Sequence, residues 1–349
     1  MMSSTSSSIL VSERYARQTI FPAIGRAGQE KLGASRVCLI GCGALGTHIA
    51  DTLVRAGVGF LRIVDRDVPV QSNLQRQSLF DEQDVIDSVP KVVAAERRLN
   101  AANREVTIDA RVLDVNSANI ESLIDDVDFV VDGSDNFEVR YLINDACVKR
   151  GKPWVYGGVI GSYGMTMTIR PGETPCLRCI FPEAPAPGEA PTCDTAGVIG
   201  PAVTVVAGLE SAEALKLAVG DLEALNRDLL AIDVWKLSFD QLSLGAPRAD
   251  CPTCARHEFT FLDQHAPSQT TELCGRDAVQ VSVNPPASLS LQTLAARLAS
   301  AGKVAHNAYL LRFDVDGFEL TVFPDGRAIV KGTTDPAVAR SVYARYIGM

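Results

Sequence analysis

The chain has 349 residues, of which 46% are hydrophobic and 21% charged, a balance typical of a globular protein with room for a large α/β domain and a smaller one. A net charge of −9, without a long run of lysine or arginine, argues against a nucleic-acid partner. No apolar stretch reaches the roughly 18 residues of a membrane span.

The N-terminal segment gives no indication of export. Residues 1–8 are small and polar and predict a disordered tail. The residues that follow lack the basic region and the long apolar region of a secretory signal. Together with nine cysteines, this predicts a reducing, cytoplasmic environment, in which thiols are more often metal ligands or catalytic groups than disulfides.

A strand, a glycine-rich turn, a helix and a second strand are predicted between residues 36 and 65. The turn reads GCGALG and follows a short apolar run, as expected of a buried parallel strand. Gly41, Gly43 and Gly46 allow backbone N–H groups to approach phosphates at a helix N-terminus. Asp65 ends the second strand, where an acid can bind ribose hydroxyls. This context predicts nucleotide binding.

The remaining pattern up to residue 255 alternates between helices and strands. Such alternation predicts an α/β fold with a doubly wound, mainly parallel, Rossmann-like sheet. Helices are predicted at 90–103, 118–127, 137–151 and 200–220, and strands at 106–113, 128–136, 153–161, 165–171 and 229–244. The strand at 165–171 is interpreted as an antiparallel extension. Residues 181–197, rich in proline, alanine and glycine, predict a mobile loop.

A second, smaller unit is predicted at the C-terminus. We expect a nucleotide-binding domain over 9–255, a linker over 256–272, and an α+β module over 273–349. Within the module the pattern predicts one strand, a helix, three strands and a final helix. The Asp-Gly pairs at 316–317 and 325–326 predict hairpin turns.

The residues after the second strand argue against hydride transfer, the default function for a glycine-rich turn followed by an acid. Asn73, Arg76 and Gln77 share one turn of chain, and guanidinium and amide groups suit a triphosphate. Lys91 opens the next helix and can also reach phosphate. Asp135 lies near the carboxyl end of a parallel strand, where an acid beside a polyphosphate suggests Mg²⁺.

At these positions the sequence resembles the ThiF/MoeB/HesA group, the bacterial relatives of ubiquitin-activating enzymes, and most closely ThiF-type members with a C-terminal extension. The similarity covers residues 12–255. It is carried by the motifs RYARQ, GCGALG, DRDxxxxSNLQRQ, PK, GSDN, PCLRC, TCDTAGVIGP and CPTC, in that order.

The resemblance implies a function and roles for single residues. The group uses ATP and Mg²⁺ to adenylate the C-terminal Gly-Gly carboxylate of a ubiquitin-like sulfur carrier of the ThiS or MoaD type. The carrier then becomes a thiocarboxylate for thiazole, molybdopterin or tRNA thiolation. The implied assignments are ATP binding by Gly41, Gly43, Ala44, Gly46, Asp65, Asp67, Asn73, Arg76, Gln77, Lys91, Asp135 and Asn136, and catalysis by Arg76, Asp135, Cys193 and Arg17.

The resemblance also implies partners. Arg17 would reach the ATP of the other subunit of a homodimer, although the sequence alone does not distinguish it from Arg14. A sulfur donor such as a cysteine desulfurase is expected to act after adenylation. Neither nucleic acid nor a membrane is an expected partner.

Two CxxC pairs predict a structural zinc site. Cys176, Cys179, Cys251 and Cys254 offer four thiolates, enough for a closed tetrahedral Zn²⁺ site. The alternatives are a redox pair and four unconnected core cysteines. The matching second pair argues against a redox pair. Unconnected core cysteines are a poor explanation because neither pair lies in an apolar run.

Cys193 stands apart from these pairs. It follows the predicted mobile loop and precedes a helix, whose N-terminus can lower a thiol pKa. The resemblance matches it to the thioester cysteine of ubiquitin-activating enzymes, so it either forms a covalent link or is dispensable.

Two other functions remain as alternatives to adenylation. One is an NAD-dependent oxidoreductase, and the other is a non-catalytic scaffold that binds nucleotide and a ubiquitin-like partner. The sequence does not distinguish between carriers.

Overall fold

A computed structural model describes residues 13–184, 196–263, 270–273, 277–282 and 288–348. The predicted tail at 1–8 lies outside this range, as do most of the predicted mobile loop and part of the predicted linker. The predicted domain limits therefore stay predictions.

The larger part of the chain forms one eight-stranded sheet in the order β3-β2-β1-β4-β5-β6-β7-β8. Strands β1 to β5 pair in parallel, whereas β5 to β8 pair antiparallel, so the predicted antiparallel extension is confirmed. The strands are β1 Arg36–Ile40, β2 Phe60–Asp65, β3 Thr107–Val112, β4 Phe129–Asp132, β5 Trp154–Ile160, β6 Tyr163–Ile169, β7 Leu229–Asp233 and β8 Ser238–Leu242.

Helices cover both faces of this sheet, which explains why the central strands are apolar on both sides. The described helices are Ala16–Ile20, Gly25–Ala34, Ala44–Ala56, Glu82–Ile86, Lys91–Ala102, Ile120–Ile124, Phe137–Arg150, Leu177–Ile180 and Gly200–Val219, with a 3₁₀ turn at Gln71–Asn73. One hydrophobic core contains residues of helices Ala44–Ala56, Lys91–Ala102 and Gly200–Val219, and a second contains those of Ile120–Ile124 and Phe137–Arg150.

Local sequence signals account for the ends of the long helices. Asn136 caps helix Phe137–Arg150 by accepting the N–H of Glu138 at 2.8 Å. The same helix ends at Gly151, whose positive φ of 64° lets the chain turn back with little strain. Helix Gly200–Val219 has a proline in its first turn and ends at a glycine in the same way.

The C-terminal module has its own antiparallel sheet, in the order β11-β12-β13-β14-β10-β9. Its elements are β9 Thr270–Leu273, β10 Ala278–Val281, helix Leu291–Leu298, β11 Lys303–His306, β12 Leu311–Val315, β13 Phe318–Val322, β14 Ala328–Lys331 and helix Pro336–Tyr346. Both helices and the sheet enclose a separate hydrophobic core. This confirms an α/β fold with a C-terminal α+β module.

The two Asp-Gly turns of the module are hairpin turns, as predicted. Asp316 and Gly317, which join β12 to β13, both have positive φ, the backbone twist that suits a tight hairpin. Strands β9 and β11 were not predicted. β11 is a short edge strand that pairs with β12 on one side, so few contacts constrain its sequence.

Over the described residues, every helix is too short or too polar to cross a lipid bilayer.

Candidate functional site

The glycine-rich turn joins β1 to helix Ala44–Ala56 at the carboxyl edge of the parallel strands. No side chain caps the N-terminus of this helix, so the N–H groups of its first turn remain available to a ligand. The N-terminal end of a helix dipole also favours negative charge. The turn can therefore bind phosphate.

The turn packs closely against the loop after β4. A β-carbon on Gly41 would lie 2.5 Å from the carbonyl oxygen of Gly133, and one on Gly46 would overlap the carbonyl of Gly41. Gly41 also has a φ of +95°. By contrast, the nearest atom to a β-carbon on Gly43 would be 3.9 Å away, so this position borders open space where a phosphate could approach.

Asp65 organises the backbone around the turn. One carboxylate oxygen accepts the N–H of Cys42 at 2.7 Å, and the other accepts the N–H of Asp67 at 2.7 Å. Burial raises the carboxyl pKa of Asp65, while Lys91 opposes that shift. Cys42 itself is buried in the core, and burial raises its thiol pKa, in keeping with a structural role.

The 3₁₀ turn after β2 ends at Asn73, and Arg76 and Gln77 follow within the next four residues. Asn73 is buried, and its side-chain oxygen accepts the N–H of Val70 at 3.2 Å. The Arg76 guanidinium is partly exposed and donates to the carbonyl of Ser72 at 2.8 Å. Gln77 is only 4% exposed, and among the described residues its Oε1 has no hydrogen-bond partner. An unpaired buried amide oxygen is a ready acceptor for a ligand.

Lys91 begins helix Lys91–Ala102 and is 4% exposed. Its Nζ lies 3.5 Å from Oδ2 of Asp67, and its backbone N–H donates to the carbonyl of Asp67 at 2.9 Å. The structure thus brings Lys91, Asp65 and Asp67 together at the edge where the glycine-rich turn lies.

Two acids in different environments lie at the end of β4 and in the loop that follows it. Asp135 is exposed, and the side chain of Asn136 is used as a helix cap. Asp132 is fully buried and pairs with Arg140, with 3.2 Å between Nε and Oδ2. Burial raises the pKa of Asp132. This pair was not predicted, although the sequence shows an acid at the end of an apolar strand and an arginine one helical turn into the next helix.

The two N-terminal arginines have different surroundings. Arg14 donates to the carbonyl of Ala102 at 2.9 Å and so contacts its own chain. Arg17 is exposed on helix Ala16–Ile20, and within the described part of the chain it makes no hydrogen bond or ion pair. Arg17 is therefore the one whose guanidinium is free to act elsewhere.

The four CxxC cysteines form one cluster. Their sulfur atoms all lie within 4.8 Å of one another, with 3.5 Å between Cys176 and Cys251 and 3.4 Å between Cys179 and Cys254. Zinc–sulfur bonds of about 2.3 Å in a tetrahedron would separate sulfurs by about 3.8 Å. The donor set and spacing fit a four-coordinate Zn²⁺ site.

Helix Phe137–Arg150 supports both halves of the cluster. Asn144 accepts the N–H of Leu177 at 2.9 Å, next to Cys176. Asp145 accepts the hydroxyl of Thr253 at 3.0 Å, between Cys251 and Cys254. Burial raises the carboxyl pKa of Asp145, and its hydrogen bonds oppose that shift. Neighbouring buried residues of one helix thus hold two segments that are far apart in sequence.

Cys193 lies outside the described residues, so the covalent role considered for it stays a prediction.

Comparison with known proteins agrees with this arrangement. Residues 15–253 match the ThiF family. The chain is 45% identical over 337 residues to the sulfur carrier protein ThiS adenylyltransferase of Bacillus subtilis, covering 96% of this chain and 99% of that protein. It is 41% identical over 248 residues to the sulfur carrier protein adenylyltransferase of Thermus thermophilus, covering 69% of this chain and 90% of that protein.

Among solved structures the fold is similar to that of Escherichia coli MccB in complex with MccA-N7isoASN. The TM-score is 0.62 with 23% identity, and the similarity covers 70% of this chain and 74% of MccB. At this identity the likeness shows the shared fold alone.

Proposed function

This chain belongs to the ThiF family, and we propose that it is an ATP-dependent adenylyltransferase acting on the C-terminal carboxylate of a ubiquitin-like sulfur carrier protein. One observation carries the proposal: a glycine-rich turn at an uncapped helix N-terminus shares its sheet edge with a buried lysine and an exposed aspartate. Amides, a cation and a metal-binding acid are the groups that a polyphosphate substrate requires.

The chemistry assigns a role to each side chain. A carrier carboxylate oxygen attacks the α-phosphorus of ATP; that P–O bond forms, the bond to the β-phosphate bridging oxygen breaks, and pyrophosphate leaves. Negative charge accumulates on the leaving group, and Lys91 and Arg76 stabilise it. Asp135 would hold Mg²⁺, which would supply positive charge to the phosphates, and Asp65 binds the ribose. Asn73 and Gln77 complete the polar lining.

The comparisons favour a carrier of the ThiS type. An alignment of 337 residues must include most of the C-terminal module, so the likeness to the Bacillus ThiS adenylyltransferase extends beyond the catalytic domain. We therefore propose thiazole synthesis as the pathway, ahead of molybdopterin or tRNA thiolation.

The further assignments belong to the same proposal. The cysteine cluster holds one structural Zn²⁺. The enzyme is a homodimer in which Arg17 acts on the nucleotide of the partner subunit. A cysteine desulfurase or another donor supplies sulfur in the cytoplasm, and Cys193 acts after adenylation.

Carrier-dependent exchange of pyrophosphate into ATP tests the function. Wild-type protein with a Gly-Gly carrier should catalyse exchange, and Arg76→Ala and Asp135→Ala should each reduce it by about a hundredfold, because each lost transition-state contact costs on the order of 3 kcal/mol. Nucleotide binding without exchange would indicate a scaffold, and NAD reduction would indicate an oxidoreductase. Wild-type exchange in both variants would refute the site.

A further inference from the structure

The C-terminal module contacts the main domain beside the candidate nucleotide site. Arg327, which precedes β14, is 3% exposed, and its Nη2 donates to the backbone carbonyl of Arg66 at 3.2 Å. Arg66 lies between Asp65 and Asp67 in the chain. A side chain of the module therefore holds the peptide that carries both carboxylates.

Three further hydrogen bonds connect Arg66 and Arg327 through Asp114 and Gln280, so that the four residues form a closed ring. Gln280 of β10 donates to Oδ2 of Asp114 at 2.6 Å, and Asp114 accepts from Arg66 through Oδ1 at 2.8 Å. Gln280 also accepts from Nη1 of Arg327 at 3.4 Å. Two residues of the module and two of the main domain thus fix one another, and the orientation of the Arg66 peptide depends on the module.

A second contact reaches the segment before Lys91. The side chain of Asn307 donates to the carbonyl of Asp87 at 2.8 Å. The next residue, Ser88, has a φ of +51°, which non-glycine residues seldom adopt, so this segment needs support from its surroundings. The module therefore touches both chain segments that carry the Asp67–Lys91 pair.

From this juxtaposition we propose that the C-terminal module is a positioning element for the nucleotide site, with Arg327 as its principal positioning residue. This inference rests on the proposed function. A buried arginine is costly to desolvate, and apolar side chains would dock two domains at least as well. A guanidinium at this place is explained if its role is to hold the backbone carbonyl of Arg66 in a fixed position. The module then tunes ATP affinity and leaves the adenylation chemistry to the main domain.

ATP binding to the full-length protein, measured by isothermal titration calorimetry, tests the inference. Arg327→Met keeps the volume but removes the donors, and should raise the Kd for ATP about tenfold, equivalent to about 1.4 kcal/mol. The KM for ATP should rise similarly, with kcat changed less than about threefold. Arg327→Lys can still reach the carbonyl of Arg66 but not Gln280 as well, so its Kd should be intermediate.

Two variants of the same module serve as controls. Arg345→Met removes an exposed charge that pairs with Asp316, and Val330→Ala opens a cavity in the module core without removing a hydrogen-bond donor. Neither should change the Kd for ATP by more than twofold. Val330→Ala and Arg327→Met are compared at the same loss of melting temperature. If Val330→Ala weakens ATP binding as much as Arg327→Met, the weaker binding follows from lost stability, and the positioning role is overturned.

The readouts separate this inference from the proposed function. Wild-type exchange together with an unchanged Kd in Arg327→Met would overturn the positioning role alone. A tenfold weaker Kd in Arg327→Met, with no carrier-dependent exchange in the wild type, would support the positioning role and refute adenylation. A wild type that binds no ATP would overturn both.

Discussion

Asp65 and Cys42 are joined by a hydrogen bond of 2.7 Å, from the backbone N–H in the glycine-rich turn to a carboxylate at the end of β2. The other carboxylate oxygen is also occupied, by the N–H of Asp67. A carboxylate has about four acceptor sites, so Asp65 can hold the turn and still accept from two ribose hydroxyls.

We expect Asp65→Ala to raise the Kd for ATP by more than about tenfold. The substitution removes the proposed ribose acceptor and leaves the N–H groups of Cys42 and Asp67 without their partner; an unpaired buried N–H costs about 1–3 kcal/mol. Titration calorimetry measures the effect. Asp51→Ala, at an acid that pairs with Arg55 on the surface of the next helix, is the matched control and should leave the Kd unchanged. Equal Kd values for the two variants would argue against the role of Asp65.

We expect Arg17 to act across a homodimer. Arg17→Ala and Arg76→Ala subunits should each lack exchange activity, but mixed dimers should regain part of it because one hybrid site receives intact groups from both chains. Arg14→Ala is the control and should keep its exchange activity without mixing, since Arg14 donates to the carbonyl of Ala102 in its own chain. Exchange assays after verified subunit mixing give the answer; absence of recovery would mean that Arg17 acts within its own subunit.

We expect one Zn²⁺ per chain, bound by the cysteine cluster. Cys179→Ala should lose the metal and lower the melting temperature, because structural zinc stabilises small peptides by roughly 10–16 kcal/mol. Cys193→Ala is the control and should keep the metal, the melting temperature and adenylate formation, with any loss confined to a later sulfur-transfer step. Elemental analysis and thiol labelling test this, and zinc lost from Cys193→Ala would contradict it.

We expect Glu210→Gln to change the pH dependence of stability. Glu210 is fully buried on helix Gly200–Val219 and packs against Gly157, and neither carboxyl oxygen has a hydrogen-bond partner among the described residues. Burial raises its carboxyl pKa well above the ordinary 4.5, and the charge of Asp132 adds to the shift. The folded state therefore keeps a proton that the unfolded state loses above about pH 4.5, so stability falls as pH rises from there, by about 1.4 kcal/mol per unit until the folded pKa is reached.

Calorimetric melting temperatures at acidic and alkaline pH test this prediction. Glutamine cannot ionise, so Glu210→Gln should gain in stability over the wild type as pH rises and should resemble it at acidic pH. Glu30→Gln, at an exposed position, should show no such trend. A difference between Glu210→Gln and the wild type that stays constant with pH would show that Glu210 does not titrate this way.

Sequence patterns predicted those parts of the fold that depend on residues close to one another in the chain. The buried strands around Val37 and Val130, the helix start at Lys91 and the Asp316-Gly317 turn follow from period, capping and turn chemistry. Strand β11 was missed because it has four residues and lies at the sheet edge, where it pairs with β12 and few contacts constrain its sequence.

The candidate site was predicted only in part, because some of its contacts join residues that are far apart in the chain. Motif positions indicated Asp65 and Lys91, but no local pattern shows that Arg327, more than 200 residues later, would contact the peptide of Arg66. Similarly, Glu210 belongs to an apolar helix, and only the packing shows that its carboxyl faces Gly157 in place of solvent.

The contact between Gly41, Gly46 and Gly133 also limits movement. Because these backbones touch without intervening side chains, the loop after β1 and the loop after β4 cannot shift independently. The amides at the start of helix Ala44–Ala56 and the backbone of the loop that carries Asp135 therefore keep a fixed distance from each other. A larger residue at any of the three glycines would spread the two loops apart and increase that distance.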